Sequence, residues 1–181
     1  WQLWEARLCK QEMGAQYLGI SNTLIAFKEG IMPMGTNAHE LPMVEVALAN
    51  TPEEKRRAQY NVNANWEKLF GVGLRILLPD AFGTSQFLAG APTRLAHEWR
   101  GLRQDSGDPF EYGEKLIAFY RSVDVDPATK LIVFSDGLDV DTIVELADKF
   151  RGRINVTFGW GTNLTNDFRG CAPLSDWRVR R

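Results

Sequence analysis

His39, in "PMGTNAHELP", is one of two histidines in a chain of 181 residues. An imidazole can move a proton near neutrality, attack an electrophilic phosphorus or carbon, or bind a metal. No second histidine lies near it and no HExxH pattern surrounds it, so a zinc site is not expected. Other polar groups recur along the chain, each just after an apolar run. Asp80 follows "LRILLP". Arg103, Asp105, Ser106 and Gly107 stand in "LRQDSGDP". Asp136, Gly137 and Asp139 stand in "FSDGLDVD", and Gly159, Gly161 and Thr162 in "TFGWGTN". A guanidinium such as Arg103 can form paired bonds to phosphate or carboxylate. Asp105 beside Ser106 and Gly107 fits such a site or plain turn chemistry. Asp136 suits sugar hydroxyls or water-bridged Mg²⁺. Asp139 fits a helix cap or a ligand contact. Gly137 allows positive φ or close approach, and the backbone N–H groups near Gly159, Gly161 and Thr162 could cradle a phosphate. That last stretch lacks the third glycine of a dinucleotide fingerprint and the lysine of a P-loop.

These residues need elements to hold them. Helices are expected over 1–13, within 21–30 with caps at its start and Gly30 at its end, over 40–49 and over 52–69, the last opened by Pro52 and early acids. Leu3, Trp4, Ala6, Arg7 and Leu8 set the period of the first. Short strands are expected at 15–20 and 31–35. A buried strand follows at 74–79, then a turn and short helix in "DAFGTSQFL" and a strand at 96–103, with His97 early in it as a structural residue. A helix begins near Pro109. "KLIVFSDG" reads as strand and turn, and "DVDTIVELADKF" as an amphipathic helix with Ile143, Val144, Leu146, Ala147 and Phe150 inward. The last strand lies in "RINVTFGWG". Strands alternating with helices predict α/β architecture with a parallel sheet and crossover helices. About six strands are too few for a closed eight-stranded barrel. In such folds, sites form at the carboxyl ends of strands, where all the groups above fall.

The composition is ordinary for a globular domain, 44% hydrophobic and 24% charged. A net charge of −2 gives no general attraction to nucleic acid or acidic membranes. No apolar run approaches the roughly 18 residues of a membrane span. Cys9 and Cys171 form no CxxC or ligand set and read as reduced thiols. A cytoplasmic protein is expected. Trp1, rather than Met, opens a helical pattern with no cap, so the chain is expected to start inside a longer protein. The basic end "WRVRR" reads as a solvated tail.

Taken together and in order, "GTNAHE", "LRQDSGDP", "FSDGLDVDTIVEL" and "TFGWGTNLTNDF" resemble nicotinate phosphoribosyltransferase, over residues 15 to 173 or so. The likeness extends to nicotinamide phosphoribosyltransferase. The resemblance implies an irregular α/β barrel, incomplete here, with residues 1–173 as part of its core and 174–181 as an irregular tail. It implies coupling of nicotinate to 5-phosphoribosyl-1-pyrophosphate, giving nicotinate mononucleotide and pyrophosphate in NAD biosynthesis. ATP is co-substrate in this ligase-type reaction and Mg²⁺ accompanies pyrophosphate or ATP. His39 then matches the histidine phosphorylated by ATP, and Asp80 would orient its ring. Arg103 and Asp105 match the phosphoribosyl contact, Asp136 an acid near the ribose, and Gly161 and Thr162 the 5-phosphate loop. Ser21 would border the pocket. The family's arginine-rich "FGxRRR" segment and its N-terminal domain would precede Trp1, and after Pro173 the likeness ends. Apart from the resemblance, a charged open rim and unpaired strand edges predict a homodimer or larger assembly. Two alternatives stay open: another phosphate-binding barrel enzyme, and a noncatalytic core that holds phosphate without turnover. Lys28 and Lys130 are badly placed for a Schiff-base aldolase.

Overall fold

Four helices precede the sheet in the computed structural model, which describes residues 1–165. They are α1 (Gln2–Met13), α2 (Thr23–Glu29), α3 (Glu40–Leu48) and α4 (Pro52–Leu69). The start of α4 is written in its first residues. Thr51 Oγ1 accepts the Glu54 N–H at 3.2 Å, and Glu54 Oε2 accepts the Thr51 N–H at 3.0 Å. Pro52, with its fixed φ, occupies the first turn, where no intrahelical donor is needed.

The sheet consists of β1 (Ile76–Leu77), β2 (Gly101–Gln104), β3 (Leu131–Phe134) and β4 (Asn155–Phe158). All neighbours are parallel and the order is β1-β2-β3-β4. The crossovers contain α5 (Thr84–Gly90) and α6 (Thr93–Glu98), then α7 (Pro109–Ser122), then α8 (Val140–Phe150). A short α9 (Thr162–Thr165) ends the described chain. The order never reverses, unlike a doubly wound sheet. Alternation sends Leu102, Ile132 and Phe134 into the core with Leu116, Leu146 and Phe150 of the helices, all 0% exposed. Register puts Arg103, Val133 and Thr157 side by side on the alternate face. Only glycine fits at 101, because a Cβ there would run into the Leu131 carbonyl.

Some expectations change. The strands at 15–20 and 31–35 reduce to one parallel bridge, Ile20 with Pro33. Pro33 offers no N–H, so a ladder cannot grow through it. The strand expected at 96–103 begins only at Gly101. Leu95, Ala96 and Trp99 bury one helical face, so the preceding residues wind into α6, and His97 is an exposed helical residue. β1 is cut short by a 3-10 turn at Val72–Leu74 and by Pro79. Val144 faces outward at 53% exposure, and α1 buries Glu5 and Ala6 while Trp4 and Leu8 stay exposed. Cys9 is a free thiol; Cys171 and the basic tail lie outside the described residues. Among the described residues no helix is long and apolar enough to cross a membrane.

Candidate active site

The carboxyl ends of β1 and β2 release Asp80 and Asp105 toward His39, and that of β3 places Ser135 beside Asp105. His39 starts α3 at the end of the 35–39 loop. Its Nε2 lies 2.9 Å from Asp80 Oδ1. Its Nδ1 lies 3.7 Å from Asp105 Oδ2, an electrostatic contact too long for a hydrogen bond. The other Asp80 oxygen accepts the Ser106 hydroxyl at 2.7 Å. The Asp80 side chain is only 6% exposed while that of His39 is 35% exposed, so the ring is held from beneath and open above. In a neutral imidazole that donates from Nε2, Nδ1 keeps its lone pair.

Arg103 anchors the second half. Its Nε donates to Ser135 Oγ at 2.8 Å, Nη1 to Thr36 Oγ1 at 2.9 Å and Nη2 to Asp105 Oδ1 at 2.6 Å. Thr36 belongs to the His39 loop, so this bond ties the loop to the sheet. Ser135 Oγ also lies 2.9 Å from both the Gln104 carbonyl and Asp105 Oδ1, either of which can take its one proton. Beneath, the Tyr112 hydroxyl donates to the Arg103 carbonyl at 2.9 Å. Burial, then the charges of Tyr120 and Asp80, pushes the Tyr112 phenol well above its usual value, so it stays a neutral donor. Buried Gln104 donates to the carbonyls of Ser106 and Gly107, shaping the turn in which Gly107 takes φ +79°.

One hydrogen-bonded and ion-paired network therefore joins His39, Asp80, Arg103, Asp105 and Ser106. The other candidate residues stand outside it. Asp136 is exposed at the end of β3 and makes no hydrogen bond or ion pair to the described residues. Gly137 has φ +59°, and its carbonyl accepts from Asn163 at 3.2 Å. The Asp139 side chain caps α8, accepting the Thr142 N–H at 2.8 Å. The Gly159 N–H bonds to the Phe134 carbonyl at 2.8 Å and extends the β3–β4 pairing. Among the described residues nothing crowds Gly161, and Thr162 is exposed. Ser21 is exposed beside the N-cap of α2, and no hydrogen bond links it to the network. Lys130 is spent at the opposite end of the sheet, donating to the His97 and Trp99 carbonyls at 2.8 and 3.0 Å. Thr36, Ser135 and Tyr112 are the participants that residue types alone did not single out. Register could have found Ser135: Gln104 pairs with Phe134, so Ser135 must follow β3 where Asp105 follows β2.

A histidine, two carboxylates and an arginine gathered where parallel strands end place the chain in the class of α/β proteins with a polar site at the carboxyl edge of the sheet. Similarity to known proteins narrows this class. The chain belongs to the nicotinate phosphoribosyltransferase (NAPRTase) family, whose sequence profile matches residues 2–175. Nicotinate phosphoribosyltransferase from Vibrio cholerae is 37% identical with a TM-score of 0.82, over 99% of this chain and 40% of that one. The enzyme of that name from Porphyromonas gingivalis is 34% identical with a TM-score of 0.85, over 93% and 43%. Human nicotinic acid phosphoribosyltransferase, at 19% identity, TM-score 0.56 and coverage of 78% and 37%, shares the fold. The chain thus spans less than half the length of each of these solved structures.

Proposed function

We propose that this chain carries the phosphoryl-accepting and phosphoribosyl-binding part of an ATP-coupled nicotinate phosphoribosyltransferase of NAD biosynthesis. The reaction joins nicotinate to 5-phosphoribosyl-1-pyrophosphate and releases pyrophosphate, with ATP hydrolysis as the driving step. The observation that carries the reading is the His39–Asp80 bond at 2.9 Å, with the other ring nitrogen turned toward Asp105. Asp80, fixed by Ser106, holds the Nε2 proton. Nδ1 then attacks the γ-phosphorus of ATP: an N–P bond forms, the P–O bond to ADP breaks, and His39 becomes phosphohistidine. Arg103 supplies charge-assisted bonds to the phosphates of phosphoribosyl pyrophosphate. As the bond from the ribose to pyrophosphate breaks, positive charge grows on the sugar carbon, and the carboxylates of Asp105 and Asp136 favour it. Exposed Asp136 also fits the donor set that Mg²⁺ needs when it arrives with substrate phosphates, namely one or two carboxylates. That ion would neutralise charge on the departing pyrophosphate.

The unreversed parallel order supports a sector of a closed α/β barrel, completed by chain beyond these residues. In that reading residues 1–173 belong to the barrel core, the protein works in the cytoplasm, and light scattering should find a homodimer. The deciding experiment uses γ-labelled ATP. Acid-labile phosphate is expected on the wild-type protein and absent from His39→Ala. Equal labelling of both would end the phosphohistidine reading, and would favour a noncatalytic phosphate-holding core if phosphoribosyl pyrophosphate with Mg²⁺ still raised the melting temperature.

A further inference from the structure

We propose that Ser135 is the positioning residue of the phosphoribosyl half of the site, setting the attitude of both Arg103 and Asp105; the inference rests on the phosphoribosyltransferase reading. Arg103 stands on the sheet face opposite the main helical core, and its side chain is 26% exposed. Its head is therefore fixed by polar partners. Ser135 takes Nε, Thr36 takes one hydrogen of Nη1 and Asp105 one hydrogen of Nη2. One hydrogen on each Nη is left over to donate to a phosphate.

Asp105 shows the same control. Arg103 donates to its Oδ1 at 2.6 Å, and the Ser135 hydroxyl lies 2.9 Å from the same oxygen. Its Oδ2 is thereby the oxygen presented to the imidazole, 3.7 Å from Nδ1. Gly159 on the neighbouring strand makes the room. A Cβ at 159 would stand 3.1 Å from the Ser135 Cβ, tighter than ordinary packing, and would press on the hydroxyl-bearing carbon. The glycine that reads as part of a phosphate cradle thus also has a steric role, which is to keep Ser135 in place.

The test measures steady-state kinetics, His39 labelling and melting temperature in the full-length protein. Ser135→Ala should raise KM for phosphoribosyl pyrophosphate about tenfold while kcat stays within about threefold. Labelling of His39 by ATP should change less than about twofold, because the ring is bonded to Asp80 rather than to Asp105. An unchanged KM, or a loss confined to kcat, at wild-type melting temperature would overturn the proposal. If Ser135→Ala does not fold, Gly159→Ala keeps the hydroxyl but displaces it, and should raise the same KM about threefold; no change there overturns the proposal too. A wild-type protein without phosphoribosyl transfer would instead fail the underlying reading, so the two failures are distinct.

Discussion

Between residues 76 and 158 the chain encloses Leu102, Leu116, Ile132, Phe134, Leu146 and Phe150 completely, whereas the first helices share a small separate cluster of Ala6, Ile25 and Ile31. The sheet unit is held by apolar burial, which is strong and non-directional. The segment that carries His39 has little of this; α3 leaves Leu41, Val44 and Leu48 exposed. Its attachment near the site runs through side-chain bonds, His39 to Asp80 and Thr36 to Arg103. The two parts differ in what they demand: the acids need a rigid platform, while the histidine needs correct orientation and access.

The largest test of this contrast compares two glycines that both lie against backbone. Gly101→Ala would drive a methyl into the Leu131 carbonyl at the centre of the sheet. A loss above about 4 kcal/mol, read by chemical denaturation, is expected. Gly19→Ala meets the Met32 carbonyl at the lone bridge between residues 20 and 33. It should cost about 1–2 kcal/mol, because the bridge can open without disturbing the sheet. Equal losses would mean that the N-terminal segment is as integral as the core.

Next in size are paired truncations of apolar side chains. Leu116→Ala, in the 0%-exposed core, should lose about 3 kcal/mol. Ile25→Ala, in a small cluster that can collapse around the gap, should lose about half as much. Asp80→Ala shifts the test from stability to chemistry. It deletes the acceptor of the Nε2 proton and frees the ring, so labelling of His39 by ATP should fall about a hundredfold, equivalent to about 2.7 kcal/mol. The melting temperature of the sheet unit should hardly move. Labelling within about threefold of wild type would show that the platform does not orient the imidazole.

Legibility in the sequence follows the same division. α4 is legible from end to end because Thr51, Pro52 and Glu54 announce its start and no breaker interrupts it. The strand ends carrying Arg103 and Asp105 are legible as an apolar run meeting a polar turn. α6 reads as strand because six residues hold too little periodicity to compete with the strand that follows. Pairing His39 with Asp80 spans 41 positions, and no local pattern reports a contact of that reach. Thr36 and Ser135 are hidden for a related reason: a hydroxyl gains its role from strand register, which is decided only when the sheet forms. Ser21 and Asp136 show the converse, since a polar residue near a strand end need not join the network.

The smallest expected effect lies at the seam between the two parts. Glu67, near the end of α4, accepts bonds from Trp99 Nε1 and from Arg94 of α6, the latter at 2.7 Å. Burial raises its carboxyl, but the bonds from Trp99 and Arg94 outweigh that and leave it below the ordinary value of 4.5. A carboxylate depressed on folding stabilises the protein above its unfolded pKa, and that contribution fades as pH falls through the folded value. Melting curves between pH 7 and pH 3 should thus show a smaller acid loss in Glu67→Gln than in wild type, since Glu29, Glu54 and Glu114 are depressed too, with the variant about 1–2 kcal/mol weaker at neutral pH. The loss should appear in the docking of α4 rather than in the sheet, so hydrogen exchange should rise first at residues 52–69. Exchange rising equally in β2 and β3 would mean that the seam is no weaker than the core, and that the two parts unfold as one.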